Sequence, residues 1–309
     1  MSIKKSYKNA MQYYAVLFLV GIFRILPRRT GISVARCLAM FFYWASGKHR
    51  NNTIRHLTLA FGDEKSGREI RRISRNVFRH LAAAGVDAVR IPIFIRQGMD
   101  RYIKAENLHY FEEAFGEGNG MILLTAHFGN WELLGAWLTW KGYPLRVVGK
   151  PLTNPRLNDL ILQIRNQAGY INIARGIETR EILRALKQGC PLGMLIDQDT
   201  RVKGVYVDFF GKKAYTPVGP VLLARRFNIP IVFAFMHLEK DLSYHIEFLP
   251  PMKVSDSGDP EADLIADIQK CSDMVEQVIR KHPEQWVWIH RRWKRQTKDM
   301  NEPVARQSI

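Results

Sequence analysis

An α/β fold is predicted, with a mixed central sheet flanked by helices on both faces and membrane-associating helices at the N-terminus. Three observations predict it. Beyond about residue 118, short apolar runs alternate with amphipathic helical stretches. Hydrophobic residues make up 47% of a 309-residue chain, enough for a real core. Residues 1–50 carry two short apolar segments bracketed by Lys and Arg.

The first segment, Tyr13 to Phe23, has 11 uninterrupted apolar residues, too few for a span that needs about 20. The basic residues Arg24, Arg28 and Arg29 follow where a secretory signal would have a small-residue cleavage site. The second, "ISVARCLAMFFYWASGKHR", is apolar again and ends in a basic cluster. With Lys4, Lys5, Lys8, Arg28, Arg29, Lys48 and Arg50 around them, the two read as a membrane-surface anchor, cytoplasmic by the positive-inside bias. The alternative is a pair of buried helices of an ordinary domain. Residues 1–50 are accordingly read as an anchor and 51–309 as a catalytic domain.

A helix follows over 63–90, with Ile70, Ile73, Val77, Phe78 and Leu81 on one face and Arg68, Arg71, Arg72, Arg75 and Arg79 on the other. Strands are expected at 120–126, 144–149, 170–174, 191–197, 229–236 and 243–249, each a short apolar run bounded by turn residues. Helices are expected at 131–141, 155–168, 178–188 and 217–228, with a longer amphipathic one at 261–281 ending before His282-Pro283.

The formal charge of +17 implies an anionic partner: nucleic acid, an acidic membrane surface or a phosphorylated substrate. The basic residues are spread over the chain without a nucleic-acid recognition motif, so no nucleic-acid partner is expected. Cys37, Cys190 and Cys271 are scattered and form neither a disulfide framework nor a zinc pattern, which suits a reducing compartment.

The chemistry-bearing stretch is "GMILLTAHFGNWELLGAWLTW". On one continuous helix His127 and Glu132 would lie about 140° apart. A different geometry brings them together: a strand ending at 126, a turn at Gly129, and Asn130 capping a helix that starts "WELL". Glu132 then stands in the first helical turn with His127 in the loop before it. A base and an orienting carboxylate without a nucleophile of their own suit a reaction in which the substrate hydroxyl is the nucleophile.

"TAHFGNWE" resembles the His-x4-Glu form of the His-x4-Asp/Glu motif of glycerolipid acyltransferases, and most closely the lipid A biosynthesis (lauroyl/myristoyl, late) acyltransferases. The resemblance continues in order through "GKPLTNPRLNDLILQIRNQAG", "RGIETREILRALKQG", "LIDQDTRVKGVYVDFFGKKAYTPVGPVLLARR" and "PEQWVWIHRRWK", with "RHLTLAFGD" upstream, where Gly62 replaces the usual proline. It implies a glycerolipid-acyltransferase-like fold and transfer of a fatty acyl group from acyl carrier protein or coenzyme A to a hydroxyl of a membrane glycolipid, a lipid A precursor first among them, at the cytoplasmic face of a bacterial inner membrane. No metal or organic cofactor is implied.

By the same resemblance His127 is the general base, Glu132 its orienter and Arg165 the donor to the oxyanion. On its own, an arginine beside the apolar face of Leu157, Leu160, Ile161 and Ile164 calls for an anionic partner or snorkels into solvent. Substrate binding is assigned to Asn130, Lys150, Asp197, Asp199, Lys212, Lys213 and Thr216. Within that set, Asp197 and Asp199 share one face if their strand continues, and pairing with Arg201 and Lys203 is the structural alternative. Thr216 is expected to cap the next helix. Lys212 and Lys213 stand where the family carries a small residue or proline and suit phosphates or an acidic carrier protein. "WVWIHRRWK" reads as an interfacial aromatic belt with phosphate clamps, His290 being structural. Two rivals stay open: a metal-dependent hydrolase using His127, Glu132, Asp197 and Asp199, and a non-enzymatic basic membrane- or nucleic-acid-binding protein.

Overall fold

The structure is a computed structural model and describes residues 3–174 and 178–295. Helices α1 (Ile3–Ile25), α2 (Arg28–Ala45), α3 (Gly47–Phe61), α4 (Gly67–Val89) and α5 (Ile91–Gln97) precede the first strand. Then come β1 (Ile103–Glu106), α6 (His109–Gly116), β2 (Met121–Thr125), α7 (Trp131–Trp140), β3 (Arg146–Gly149), α8 (Pro155–Gln167), β4 (Ile171–Ala174) and α9 (Glu178–Lys187). The rest is β5 (Pro191–Leu195), β6 (Gly204–Phe209), β7 (Lys212–Pro217), α10 (Gly219–Phe227), β8 (Ile231–Leu238), β9 (Tyr244–Met252) and α11 (Pro260–Lys281).

The expected mixed sheet is present, with strand order β1-β9-β8-β2-β5-β3-β4. Only β8 and β9 run antiparallel, as the two arms of a hairpin; the other pairs are parallel. β2 and β8 are buried along their whole length, which is why their sequences are continuous apolar runs without alternation. Two core clusters form. One contains Ile122, Leu124 and Phe233 with α10 and α11; the other contains Leu123, Val232 and Ala234 with α7 and Phe111.

The six expected strands are all found, at slightly different limits. Three further strands, β1, β6 and β7, and the helices α3, α5 and α6 were not anticipated. Thr216 does not cap a helix: it lies in β7, paired with Val205 of β6, and Val218 occupies the N-cap position of α10. Arg175, Gly176 and Ile177 of the quoted family stretch lie outside the described residues.

Helix α4 begins with a capping box, in which Ser66 and Glu69 satisfy each other's backbone N–H groups, and it buries Ile70, Ile73, Val77 and Phe78 as the spacing predicts. Its buried Asp87 receives a bidentate pair from Arg28 at 2.8 Å on each oxygen. Arg28 is therefore tied into the protein body, not free to flank a membrane surface as expected. No helix among the described residues is long and apolar enough to cross a membrane.

Candidate active site

β2 and β5 run parallel and in register, with Thr125 beside Leu195. Two residues beyond each of those positions lie His127 and Asp197, so the register itself delivers them side by side at the carboxyl edge of the sheet, where open α/β sheets place their ligands. The contact is direct. The His127 ring donates from Nδ1 to Asp197 Oδ1 at 2.8 Å, and the His127 backbone N–H donates to Oδ2 at 2.8 Å. The indole N–H of Trp286 completes the carboxylate's partners at 2.7 Å.

Asp197 is 3% exposed. Burial alone would raise its pKa, but the charge and hydrogen bond of His127, the Trp286 indole and the His127 backbone N–H together lower it to about 2. It is an anion at neutral pH, fixed on the ring nitrogen that must carry the hydrogen. Nε2 of His127 is thereby left as the basic atom.

The expectation that Glu132 orients His127 is corrected by this geometry. Glu132 does stand in the first turn of α7, capped by Asn130 through a bond from the Leu133 N–H at 3.1 Å. Its carboxylate, however, is taken by other partners. Arg165 donates from Nε to Oε2 at 3.0 Å and from Nη2 to Oε1 at 2.5 Å, and the Tyr170 hydroxyl donates to Oε2 at 2.5 Å. Burial pushes the carboxyl of Glu132 up, and the hydrogen bonds and charge of Arg165 more than offset it, leaving the pKa lowered. Arg165 thus finds the anionic partner that its place beside an apolar face called for. Its Nη1 also donates to Asn172 Oδ1 at 2.5 Å.

The turn between His127 and α7 is held from three sides. Gly129 has φ of +57°, and a Cβ there would overlap the Met236 carbonyl oxygen, so no other residue fits. The Gly129 N–H donates to the Gln285 carbonyl at 2.9 Å, and the Val287 N–H donates to the His127 carbonyl at 3.1 Å. His80 of α4 donates from Nε2 to the Gly129 carbonyl at 3.1 Å. The stretch "PEQWVW" is therefore a brace for the loop that carries His127. Trp286 and Trp288 are 1% and 0% exposed and Arg292 is 1% exposed, which corrects the reading of this segment as an interfacial belt with phosphate clamps.

Two further residues meet His127 that the sequence did not single out for catalysis. The Gln198 side-chain amide, with its nitrogen assigned to this side, donates to His127 Nε2 at 3.0 Å and to His290 Nδ1. The His127 and His290 rings lie 5.3 Å apart between centroids. Burial and the proximity of His127 lower the His290 pKa to about 4, so the ring is neutral at physiological pH and can accept. Position next to Asp197 in "IDQD" was the one available signal for Gln198; His290 is 92 residues away and had none.

The remaining expected residues part from this cluster. Asp199 is buried with Arg295, accepting from its backbone N–H at 3.0 Å and lying 3.4 Å from its Nε, in place of the expected Arg201 or Lys203. Thr216 is 1% exposed and accepts from Arg292 Nη2 at 2.5 Å. Asn130 is buried, its amide donating to the Ala84 carbonyl at 3.2 Å and the Tyr244 hydroxyl at 3.3 Å. Lys150, Lys212 and Lys213 are exposed, Lys213 beside Asp208 at 3.2 Å. Among the described residues no group of three or more His, Cys, Asp or Glu is arranged to hold a metal ion. A cavity of about 760 Å³ is lined by Arg36, Arg79, Lys240, Glu239 and Glu284 and shares His80 and Gln285 with the loop's braces, but it includes neither His127 nor Asp197.

Comparison with known proteins now settles the class. The profile of the family described as bacterial lipid A biosynthesis acyltransferase matches residues 1–295. The chain belongs to that family. It is an O-acyltransferase, and the acceptor class is a glycolipid. A phosphatidylinositol mannoside acyltransferase of Mycolicibacterium smegmatis is 25% identical over 67% of this chain and 67% of its own length. Its counterpart in Mycobacterium tuberculosis is 26% identical over 63% of this chain, and the match spans 60% of that protein's length. The lipid A biosynthesis palmitoleoyltransferase of Escherichia coli is 26% identical over 85% of this chain and 82% of its own length. Among solved structures, the 1-acyl-sn-glycerophosphate acyltransferase of Thermotoga maritima aligns with a TM-score of 0.35 at 12% identity, covering 81% of this chain and 97% of that one, too slight a likeness to build on.

Proposed function

We propose that this acyltransferase moves a fatty acyl group from a thioester of acyl carrier protein or coenzyme A to a hydroxyl of a lipid A precursor, at the cytoplasmic face of the inner membrane. His127 Nε2 takes the hydroxyl proton as the oxygen attacks the thioester carbonyl. The tetrahedral intermediate collapses, the carbon–sulfur bond breaks, and the proton passes from Nε2 to the departing sulfur. Asp197 holds the tautomer and stabilises the imidazolium. The observation that carries this reading is the anionic, buried Asp197 on Nδ1 of His127, which leaves Nε2 as the base.

Arg165 has five N–H donors; Glu132 and Asn172 engage three of them, and the Tyr170 hydroxyl is a further hydrogen-bond partner of the guanidinium. The guanidinium held in this way is assigned to a developing oxyanion, so Glu132 acts by fixing Arg165 and not by touching His127. Lys150, Lys212 and Lys213, exposed and basic, suit the phosphates of the acceptor or an acidic carrier protein. The membrane contact is supported by the N-terminal helices. Apart from Leu152, Ile171 and Ile265, the exposed large apolar side chains among the described residues all lie on α1 and α2. Tyr7, Met11, Tyr14, Phe18 and Ile25 form one helical stripe and Val34, Leu38 and Phe41 another, which is the pattern of helices lying in an interface.

A phosphatidylinositol mannoside is the second reading of the acceptor, favoured by the mycobacterial relatives. Purified protein incubated with an acyl thioester and each lipid, followed by mass spectrometry, tests both: one lipid gains the mass of the acyl chain and His127→Ala abolishes the gain. Unchanged transfer by His127→Ala would refute the base assignment. The lipids of a deletion strain identify the native acceptor.

A further inference from the structure

We infer that Gln198, held by His290, is an acceptor-versus-water specificity device: its amide covers the lone pair of the base and yields it only to a bound hydroxyl. The inference rests on the acyl-transfer reading. An acyltransferase that binds a thioester before its acceptor faces a competing reaction. If water reached His127 Nε2 beside the thioester, the water oxygen would bond to the acyl carbon, the carbon–sulfur bond would break, and free acid and thiol would result.

The geometry shows what stands in the way. Nδ1 of His127 is committed to Asp197, so Nε2 is the lone pair either nucleophile needs. The Gln198 amide nitrogen occupies it at 3.0 Å, and its second N–H goes to His290 Nδ1. Both N–H groups of the amide are therefore satisfied, and they are satisfied by two nitrogens that must be unprotonated to accept. His290 meets that condition because burial keeps its ring neutral. The base is thus correctly tautomerised and covered at the same time. A water arriving alone exchanges one hydrogen bond for another at no gain. A lipid hydroxyl brings the binding energy of the whole acceptor, which displaces the amide. Gln198 also adjoins Asp197 in the chain, so the residue that orients the base and the residue that covers it move on one backbone segment. His290 is a positioning residue: it acts through Gln198.

The test measures thiol release and acyl-lipid formation together, with a long-chain acyl-CoA as donor, in wild type, Gln198→Met and His290→Phe. Methionine keeps the length of glutamine and removes both donors; phenylalanine keeps the ring and removes the acceptor. In Gln198→Met, thiol release with the donor alone rises about twofold to tenfold, the span one hydrogen bond is worth. The ratio of acyl-lipid to thiol falls correspondingly. His290→Phe moves both in the same direction by less, and it serves alone if Gln198→Met does not fold. Donor-alone release at the wild-type level in both variants overturns the proposal, whether transfer falls or holds. A fall in transfer with no rise in hydrolysis would instead mark Gln198 as a transition-state donor. Failure of wild type to form any acyl-lipid would sink the acyl-transfer reading itself, an outcome distinct from any change in this ratio.

Discussion

At the scale of single residues, two carboxylates stand near the base and only one is bonded to it. Asp197→Asn keeps the shape but replaces the anion on Nδ1 by an amide that can donate there and favour the wrong tautomer. The rate constant kcat should fall about 10²–10⁴-fold with KM little changed, by the logic of an orienting carboxylate. Glu132→Gln breaks a different thing, the bidentate hold on Arg165 at 3.0 and 2.5 Å. It should lower kcat as well, but it should also be mimicked by Arg165→Ala, with the double variant no worse than either single one. Steady-state kinetics on these variants separates the roles. A Glu132→Gln/Asp197→Asn double variant no worse than either single one would mean that a single His–Glu–Asp unit operates, against the geometry. The physical reason the carboxylate on the His127 ring was not legible in the sequence is local. Glu132 is five residues from His127, whereas Asp197 is 70 away and becomes a neighbour only through strand pairing.

At the scale of elements, the strand–turn–helix at 121–140 was legible because its signals are short-range: an apolar run, a glycine that must turn, and an asparagine that caps. The β6–β7 hairpin carried comparable signals, with Val205, Val207 and Phe209 alternating and a turn at Phe210 and Gly211 with φ of +54° and +66°. It was misread because "TPVG" offers an equally good helix start two residues later, and pairing outweighed the capping propensity of Thr216. The aromatic, basic segment 286–294 was misread for a related reason. Composition reports that tryptophan and arginine are present, not that Trp286 spends its N–H on Asp197 and Arg292 its fork on the Tyr215 carbonyl and Thr216. The turn at Gly129 itself makes a sharp prediction. Gly129→Ala must displace the Met236 carbonyl or abandon φ of +57°, and it should cost about 2–4 kcal/mol in urea denaturation. Asn130→Ala loses a helix cap worth about 1 kcal/mol and should be the milder of the two. A Gly129→Ala protein as stable as wild type would mean that the loop relaxes away from β8.

At the scale of the whole molecule, the N-terminal helices and the turn after His127 are joined by one buried polar chain. Arg28 of α2 pairs with Asp87 of α4, the Tyr244 hydroxyl of β9 donates to Asp87 at 2.8 Å, and the Asn130 amide donates to that hydroxyl. Helices whose exposed faces suit a membrane are thereby fixed to the turn that carries the base. Several buried groups tie this assembly to pH with one sign. His80 and His290 are held at about 4, in each case chiefly by burial, against an ordinary value of 6.5. Between those values the unfolded chain binds a proton at each position and the native protein does not. Stability from these groups is therefore complete above about 6.5 and is lost as pH falls toward 4. The two histidines together set a slope of up to about 2.7 kcal/mol per pH unit at its steepest. Asp197, held at about 2 against 3.8, extends the loss below pH 4, because its native carboxylate must finally be protonated. Urea midpoints should stay nearly level from pH 7.5 to about 6.5 and fall from there to pH 4.5, and His290→Phe should remove about one proton from the slope while leaving the His80 share. A midpoint that stays level from pH 7 to pH 5 would mean that both rings reach solvent, and the covered base would lose its support with them.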